Sequence, residues 1–126
     1  MKVVITGSEG LIGKQLVKDL SSKYEIYKLD LKLGHDLNSE KFISNFFSKK
    51  KIYGLIICHG LNPQKNSKSE NNPLTLNVNS IKDYFETNLI SPFNFCIILI
   101  NYFRKYEQKL VNNKKEQVLS YNYHII

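Results

Sequence analysis

Gly7, Gly10 and Gly13 recur at intervals of three residues, and Asp30 follows seventeen residues after the last of them. Glycines so spaced clear side chains from a turn, so that backbone N–H groups can close on an anion. What flanks them gives the spacing its meaning. Val3, Val4 and Ile5 form a short β-branched run that suits a strand buried on both faces. From Leu11 the apolar period changes, and Ile12, Leu16 and Leu20 are expected on one helix face. Strand, glycine turn and helix start in immediate succession present a helix N-terminus, with its unpaired N–H groups and partial positive charge, to a pyrophosphate. Gly7 is expected to turn the chain out of the strand. Gly10 is expected to let a phosphate approach the backbone, and Gly13 to let the helix pack tightly on the strand. A P-loop does not fit, because it needs four residues between its glycines and then Lys-Ser or Lys-Thr, whereas five residues separate Gly7 from Gly13 and Gln15 follows Lys14.

The carboxylate needs an element to place it. Tyr24 to Leu31 alternates in a way that predicts a second strand ending near Asp30. A carboxylate at that point is placed to accept hydrogen bonds from the adenosine ribose of NAD and to repel the 2′-phosphate of NADP. An ordinary acidic residue capping a strand is the plain alternative, and the glycine turn at the right distance upstream favours the ribose role over it. Further along, Ser39 to Ser48 predicts a helix with Phe42, Ile43, Phe46 and Phe47 on one face. Ile52 to Cys58 is a continuous apolar run that predicts a central buried strand. Leu61 to Asn72 is polar and bounded by prolines, a surface loop. Ser80 with Asp83 predicts a helix start, Phe93 to Tyr106 an apolar helix, and Val118 to Ile126 a short further strand.

Thr6-Gly7-Ser8-Glu9-Gly10-Leu11-Ile12-Gly13 resembles the TGxxGxxG fingerprint of the short-chain dehydrogenase/reductase superfamily, and its spacing is nearer the extended, epimerase-like branch than the TGxxxGxG branch. The resemblance implies an α/β fold, a doubly wound, Rossmann-like parallel sheet that binds NAD or NADP. It implies cofactor contacts from Gly7, Ser8, Gly10, Leu11, Ile12 and Gly13, and the ribose role for Asp30. The family's short third strand ends in an Asp and an apolar residue that lie along the adenine. Asp36 and Leu37 occupy those places, although Asp36 also suits a turn or a cap for the helix that follows. His59-Gly60 stands where the family carries a short Asn/Ala-Gly motif beside the cofactor, and Cys58-His59-Gly60 departs from the commoner form. Asn88, in Glu86-Thr87-Asn88-Leu89-Ile90-Ser91-Pro92-Phe93, resembles the fourth-helix asparagine that supports the proton relay. A mid-helix surface asparagine is the plain alternative.

The resemblance then runs out. The family's Ser and its Tyr-x-x-x-Lys pair belong downstream of Asn88. Ser120 lies in roughly the right region without a matching context. Tyr24 with Lys28 has the pair's spacing, but it falls in the second strand, upstream of Asp30. In this chemistry the Tyr is the acid/base and the Lys lowers its pKa from about 10. The 126 residues are therefore expected to be the N-terminal part of a single NAD(P)-binding domain. The expected strand order is 3-2-1-4, with a possible fifth strand beside the fourth. The expected activity class is an oxidoreductase, with an epimerase/dehydratase acting on nucleotide sugars or a non-catalytic nucleotide-binding module as alternatives. The expected cofactor is NAD in preference to NADP, and a small-molecule substrate is expected only for a full-length parent.

Composition bounds the rest. A chain of 126 residues suits one domain. There is no run of eighteen apolar residues and no leader-like N-terminus, so a cytoplasmic protein without a membrane span is expected. Cys58 and Cys96 stand apart inside apolar runs and read as free thiols; no metal site is expected. The formal charge of +7 invites a nucleic-acid reading, but seventeen of the eighteen basic residues are lysines, scattered apart from short clusters such as 49–51. Solvated surfaces account for them better, and nucleic acid is the remote reading. An incomplete sheet is expected to leave an unpaired edge and an exposed apolar face, and so to favour self-association.

Overall fold

The computed structural model describes residues 1–61, 78–113 and 124–125 of the chain. Strand β1 (Lys2–Thr6) leads through the glycine turn into helix α1 (Leu11–Leu20). Strand β2 (Glu25–Leu29) follows, then a 3-10 turn (Leu31–Leu33) and helix α2 (Glu40–Ser48). Strand β3 (Gly54–Ile57) is the continuous apolar run, shorter by a few residues than its hydrophobicity suggests. Helix α3 (Val78–Phe85) passes through one π-helical turn (Glu86–Ile90) into the long helix α4 (Ser91–Asn113), and His124–Ile125 forms β4.

The sheet runs in the order β2-β1-β3-β4, and every pairing is parallel. The register sets Val4 between Tyr27 and Leu55, in the middle of three strands. β1 is central, which is why its residues from Val3 to Thr6 are all buried. Period-two alternation sends Val4, Leu29 and Leu55 to one face. There they join Ile43 and Phe47 of α2 and Phe95, Leu99 and Phe103 of α4 in one core. α1 packs against β1 and β2, and none of its residues belongs to that cluster. Helices thus cover both faces, as in a doubly wound sheet.

Three expectations are corrected. Residues 34–37, expected as a third strand at the sheet's outer side, pair with no strand. Asp30 instead caps the 3-10 turn, Gly34 closes it at φ 81°, and Leu37 turns inward to the core, so the backbone is committed to turns. Ile12, expected on the buried face of α1, is 66% exposed. α1 instead buries Gly13 and half-buries Leu16, Val17 and Leu20, a face rotated by one residue. Ser80 does not start a helix, since α3 already includes Val78. By contrast the helix expected over residues 39–48 is α2; Ser39, rather than Asp36, caps it, its hydroxyl accepting from Phe42 N at 3.2 Å. The polar loop after Leu61 and most of the segment 114–126, Ser120 included, lie outside the described residues.

Candidate functional site: a cavity at the carboxyl ends of the strands

The glycine turn is built by close backbone approach. Gly7 sits at φ 65°, where a side chain is strained, and a Cβ there would stand 2.6 Å from the Cys58 carbonyl carbon. A Cβ on Gly13 would fall 2.1 Å from the Gly7 carbonyl oxygen. The last glycine therefore lets α1 press against the turn itself. Gly10 donates its N–H to Gly7 O at 3.0 Å and stands as the N-cap of α1. It has no side chain to offer, so the first-turn N–H groups at Leu11 and Ile12 have no side-chain cap. Both residues are exposed. Ser8 is buried, and its Oγ has no partner among the described residues. An orphaned hydroxyl inside a turn that a Cβ would fill fits a phosphate-binding loop.

Asp30 lies across from this turn at the end of β2 and is only 8% exposed. Its two oxygens hold separate pieces of backbone. Oδ2 accepts from Glu9 N and Oδ1 from Lys32 N, each at 2.9 Å. The carboxylate therefore ties the glycine turn to the loop after β2, and each oxygen keeps a lone pair for another donor. Asp36 accepts from Asn38 N at 3.0 Å, a turn-forming contact, and Leu37 is buried beside it. Lys28, the decoy partner of Tyr24, reaches Glu9 at 3.6 Å.

The end of β3 is held by a network that crosses the site. His59 Nδ1 lies 2.7 Å from Thr6 Oγ1, and Nε2 lies 2.9 Å from Ser91 Oγ. Ser91 donates its hydroxyl proton to Leu37 O. Ser91 must then accept from Nε2–H, and in a neutral imidazole Nδ1 accepts from the Thr6 hydroxyl. Burial pushes the His59 pKa down to about 4, opposed by the charge of Asp30. The sequence marks Thr6 only as the first residue of the glycine fingerprint and Ser91 only by its place after Asn88, in the motif of the fourth helix.

Asn88 sits in the π-helical turn. Its Oδ1 accepts from Leu61 N at 2.7 Å and its Nδ2 donates to Leu61 O at 3.0 Å, so one side chain satisfies both backbone groups of a residue beyond β3. Gly60 is its close neighbour, with room for a Cβ only 3.1 Å from Asn88 Oδ1. Pro92 explains the turn. It has no N–H to give to the carbonyl four residues back, and its ring crowds that carbonyl. The ladder instead closes by a longer step, Ser91 N donating to Glu86 O.

These pieces meet in one cavity of about 280 Å³. Gly7 and Gly10 line one side, Asp30, Lys32, Asp36 and Leu37 another, and His59, Gly60 and Thr87 the rest. It opens at the carboxyl ends of β1, β2 and β3, where open α/β sheets bind their ligands. Among the described residues no group of His, Cys, Asp or Glu could hold a metal.

No family model matches the chain, and no curated protein matches it in sequence. Solved structures do match it. A dTDP-4-dehydrorhamnose reductase from Clostridium acetobutylicum superposes with TM-score 0.63 at 22% identity, over 81% of this chain and 33% of that one. A small-chain dehydrogenase in complex with NADPH superposes with TM-score 0.66 at 22% identity, over 81% and 45%. The UDP-glucose 4-epimerase of Thermus thermophilus, in complex with NAD, gives 0.63 at 22% over 81% and 34%. The fold is that of the short-chain dehydrogenases/reductases. The chain spans less than half the length of each of these three structures.

Proposed function

We propose that these residues form the nicotinamide-dinucleotide-binding half of an oxidoreductase of the short-chain dehydrogenase/reductase kind. The observation that carries the reading is the shared cavity: an uncapped helix N-terminus and a glycine turn on one side, a buried carboxylate on the other. The turn and the N-terminus of α1 would hold the pyrophosphate, and Asp30 the adenosine ribose. Leu37 and Asp36 would border the adenine. The cofactor, when bound, supplies hydride chemistry. This chain's own share is to bind and orient it, and through Asn88 to fix Gly60 and Leu61 beside it. The oxidoreductase reading ranks above an epimerase or dehydratase acting on nucleotide sugars, and above a purely nucleotide-binding module.

NAD is the cofactor we favour over NADP, because a 2′-phosphate would meet the buried Asp30 carboxylate. One residue argues the other way: Lys32 borders the same cavity and offers a phosphate a positive charge. Fluorescence titration of the chain with NADH and with NADPH tests the choice. NADH is expected to bind more tightly, and Asp30→Ala to narrow the gap about tenfold or more. Equal affinities in the unsubstituted chain would refute the role given to Asp30.

The 126 residues alone are expected to show no dehydrogenase or epimerase turnover. No Tyr-x-x-x-Lys pair follows Asn88. General acid–base help is typically worth about 10²–10⁴-fold, and orientation adds to it. NADH absorbance followed with a panel of alcohols and ketones, beside a nucleotide-sugar epimerase assay, tests this. A rate abolished by Gly10→Trp would show that the chain holds an acid/base of its own, and Ser120, Tyr121 and Tyr123 are where we would look for it.

A further inference from the structure

A second cavity, of about 520 Å³, lies between the C-terminal end of α2 and the outer part of α4. It shares no lining residue with the cavity at the strand ends. Its place is the opposite end of the sheet, because Lys51 leads into β3 whereas His59 leaves it. Its floor is apolar, with the buried Phe47 and the half-buried Ile98 and Tyr102. Its rim is cationic. Lys49, Lys50 and Lys51 follow the end of α2, Lys105 comes from α4, and among the described residues no acidic residue lines it.

Helix-end electrostatics account for part of this, since cations favour a helix C-terminus. They do not account for Lys105, which belongs to another helix, or for a concave apolar floor. Lys50 is also held in place: its Nζ sits 4.6 Å from the Tyr27 ring centre and 5.4 Å from that of Phe46. Neither ring lines the cleft, and Lys51 Nζ likewise stands 5.6 Å from the Tyr53 ring centre, which leaves Lys49 and Lys105 as the rim's anion-binding pair. The volume is that of a small-molecule site. A nucleic-acid backbone needs an extended cationic track, and this cleft is short and bounded by two helices.

We propose that this cleft binds a small amphiphilic anion: an apolar or aromatic body on the Phe47–Tyr102 floor, with a phosphate monoester or similar dianion between Lys49 and Lys105. It is separate from dinucleotide binding, and each survives failure of the other.

Naphthyl phosphate is a suitable probe, with inorganic phosphate and naphthol as its two halves. Amide shifts of the full 126-residue chain, ¹⁵N-labelled, should move at residues 48–51 and 101–105 and saturate with naphthyl phosphate. Either half alone should bind at least tenfold more weakly. The double substitution Lys49→Glu with Lys105→Glu should weaken the probe at least tenfold and leave NADH titration unchanged. These lysines are exposed, so the fold is expected to survive, and circular dichroism checks it. Lys49→Gln with Lys105→Gln should give a smaller loss in the same direction. Undiminished binding by both variants, shifts confined to the strand-end cavity, or equal binding of naphthol and naphthyl phosphate would each overturn the proposal.

Discussion

His59 is the residue whose chemistry departs furthest from its sequence context. Placed in a short motif beside the cofactor, it spends both ring nitrogens on Thr6 and Ser91 and joins the ends of β1 and β3 to the start of α4. Burial favours the neutral ring, and this makes stability depend on pH. The folded-state pKa is about 4, below the ordinary 6.5. Between those values the unfolded chain binds a proton that the folded chain refuses. Stability is therefore fully present above about pH 6.5, falls as pH drops towards 4, and loses nothing more to this group below that. With the ring only partly buried, the loss should be about 1–2 kcal/mol. Urea midpoints at several pH values measure it. His59→Asn should lose the part of the slope lying between pH 6.5 and 4, and an unchanged slope would count against a neutral His59.

The π-helical turn is the element on which the Asn88 contact depends. One residue more per turn rotates everything beyond it relative to a straight α-helix, where each residue turns the chain by about 100°. The asparagine motif announced a perturbed helix, and Pro92 supplies its cause. In Pro92→Ala the missing N–H returns and the turn is free to relax to α-helical bonding. The register of Asn88 against Leu61 then changes, and both of its bonds to that backbone are lost. Hydrogen exchange read by NMR tests this: protection of the Asn88 side-chain amide and the Leu61 N–H should fall together. If both stay protected, the π turn is held by something other than Pro92.

At the scale of the molecule, the core fills one side of the sheet while the outward face of α3 and α4 stays apolar. Ile81, Phe85, Leu89, Phe93, Ile97 and Ile100 are exposed at helical spacing, Phe93 to 61%. No charged residue occurs between Glu86 and Arg104. Large side chains exposed to this degree leave roughly 600 Å² of apolar surface in one stripe, at or above the largest patch of an ordinary monomer. Among the described residues no helix is long and apolar enough to cross a membrane. The isolated chain should therefore self-associate or be only marginally stable. Sedimentation velocity over a range of concentrations should show association. Phe93→Lys should shift it towards monomer without lowering the thermal midpoint. A stable, monodisperse monomer in the unsubstituted chain would contradict this.

The sequence by itself determined the strand–turn–helix start, the pairing of a glycine turn with a distal carboxylate, and the α/β class. Those features are local: a β-branched run, a glycine spacing and a helical period each act over a few residues. The helix over residues 39–48 was legible for the same reason. What only the tertiary structure decided depends on groups far apart in the chain. Residues 34–37 pair with no strand because Asp30 and Gly34 commit that backbone to turns and the core takes Leu37. Ile12 and Leu16 fit one helical period equally well, and contact with the glycine turn through Gly13 chose which face of α1 turned inward. The link from Thr6 through His59 and Ser91 to Leu37 joins residues up to eighty-five positions apart. No spacing rule reaches that far, because a buried polar group takes whichever partner the packed fold brings within hydrogen-bond distance.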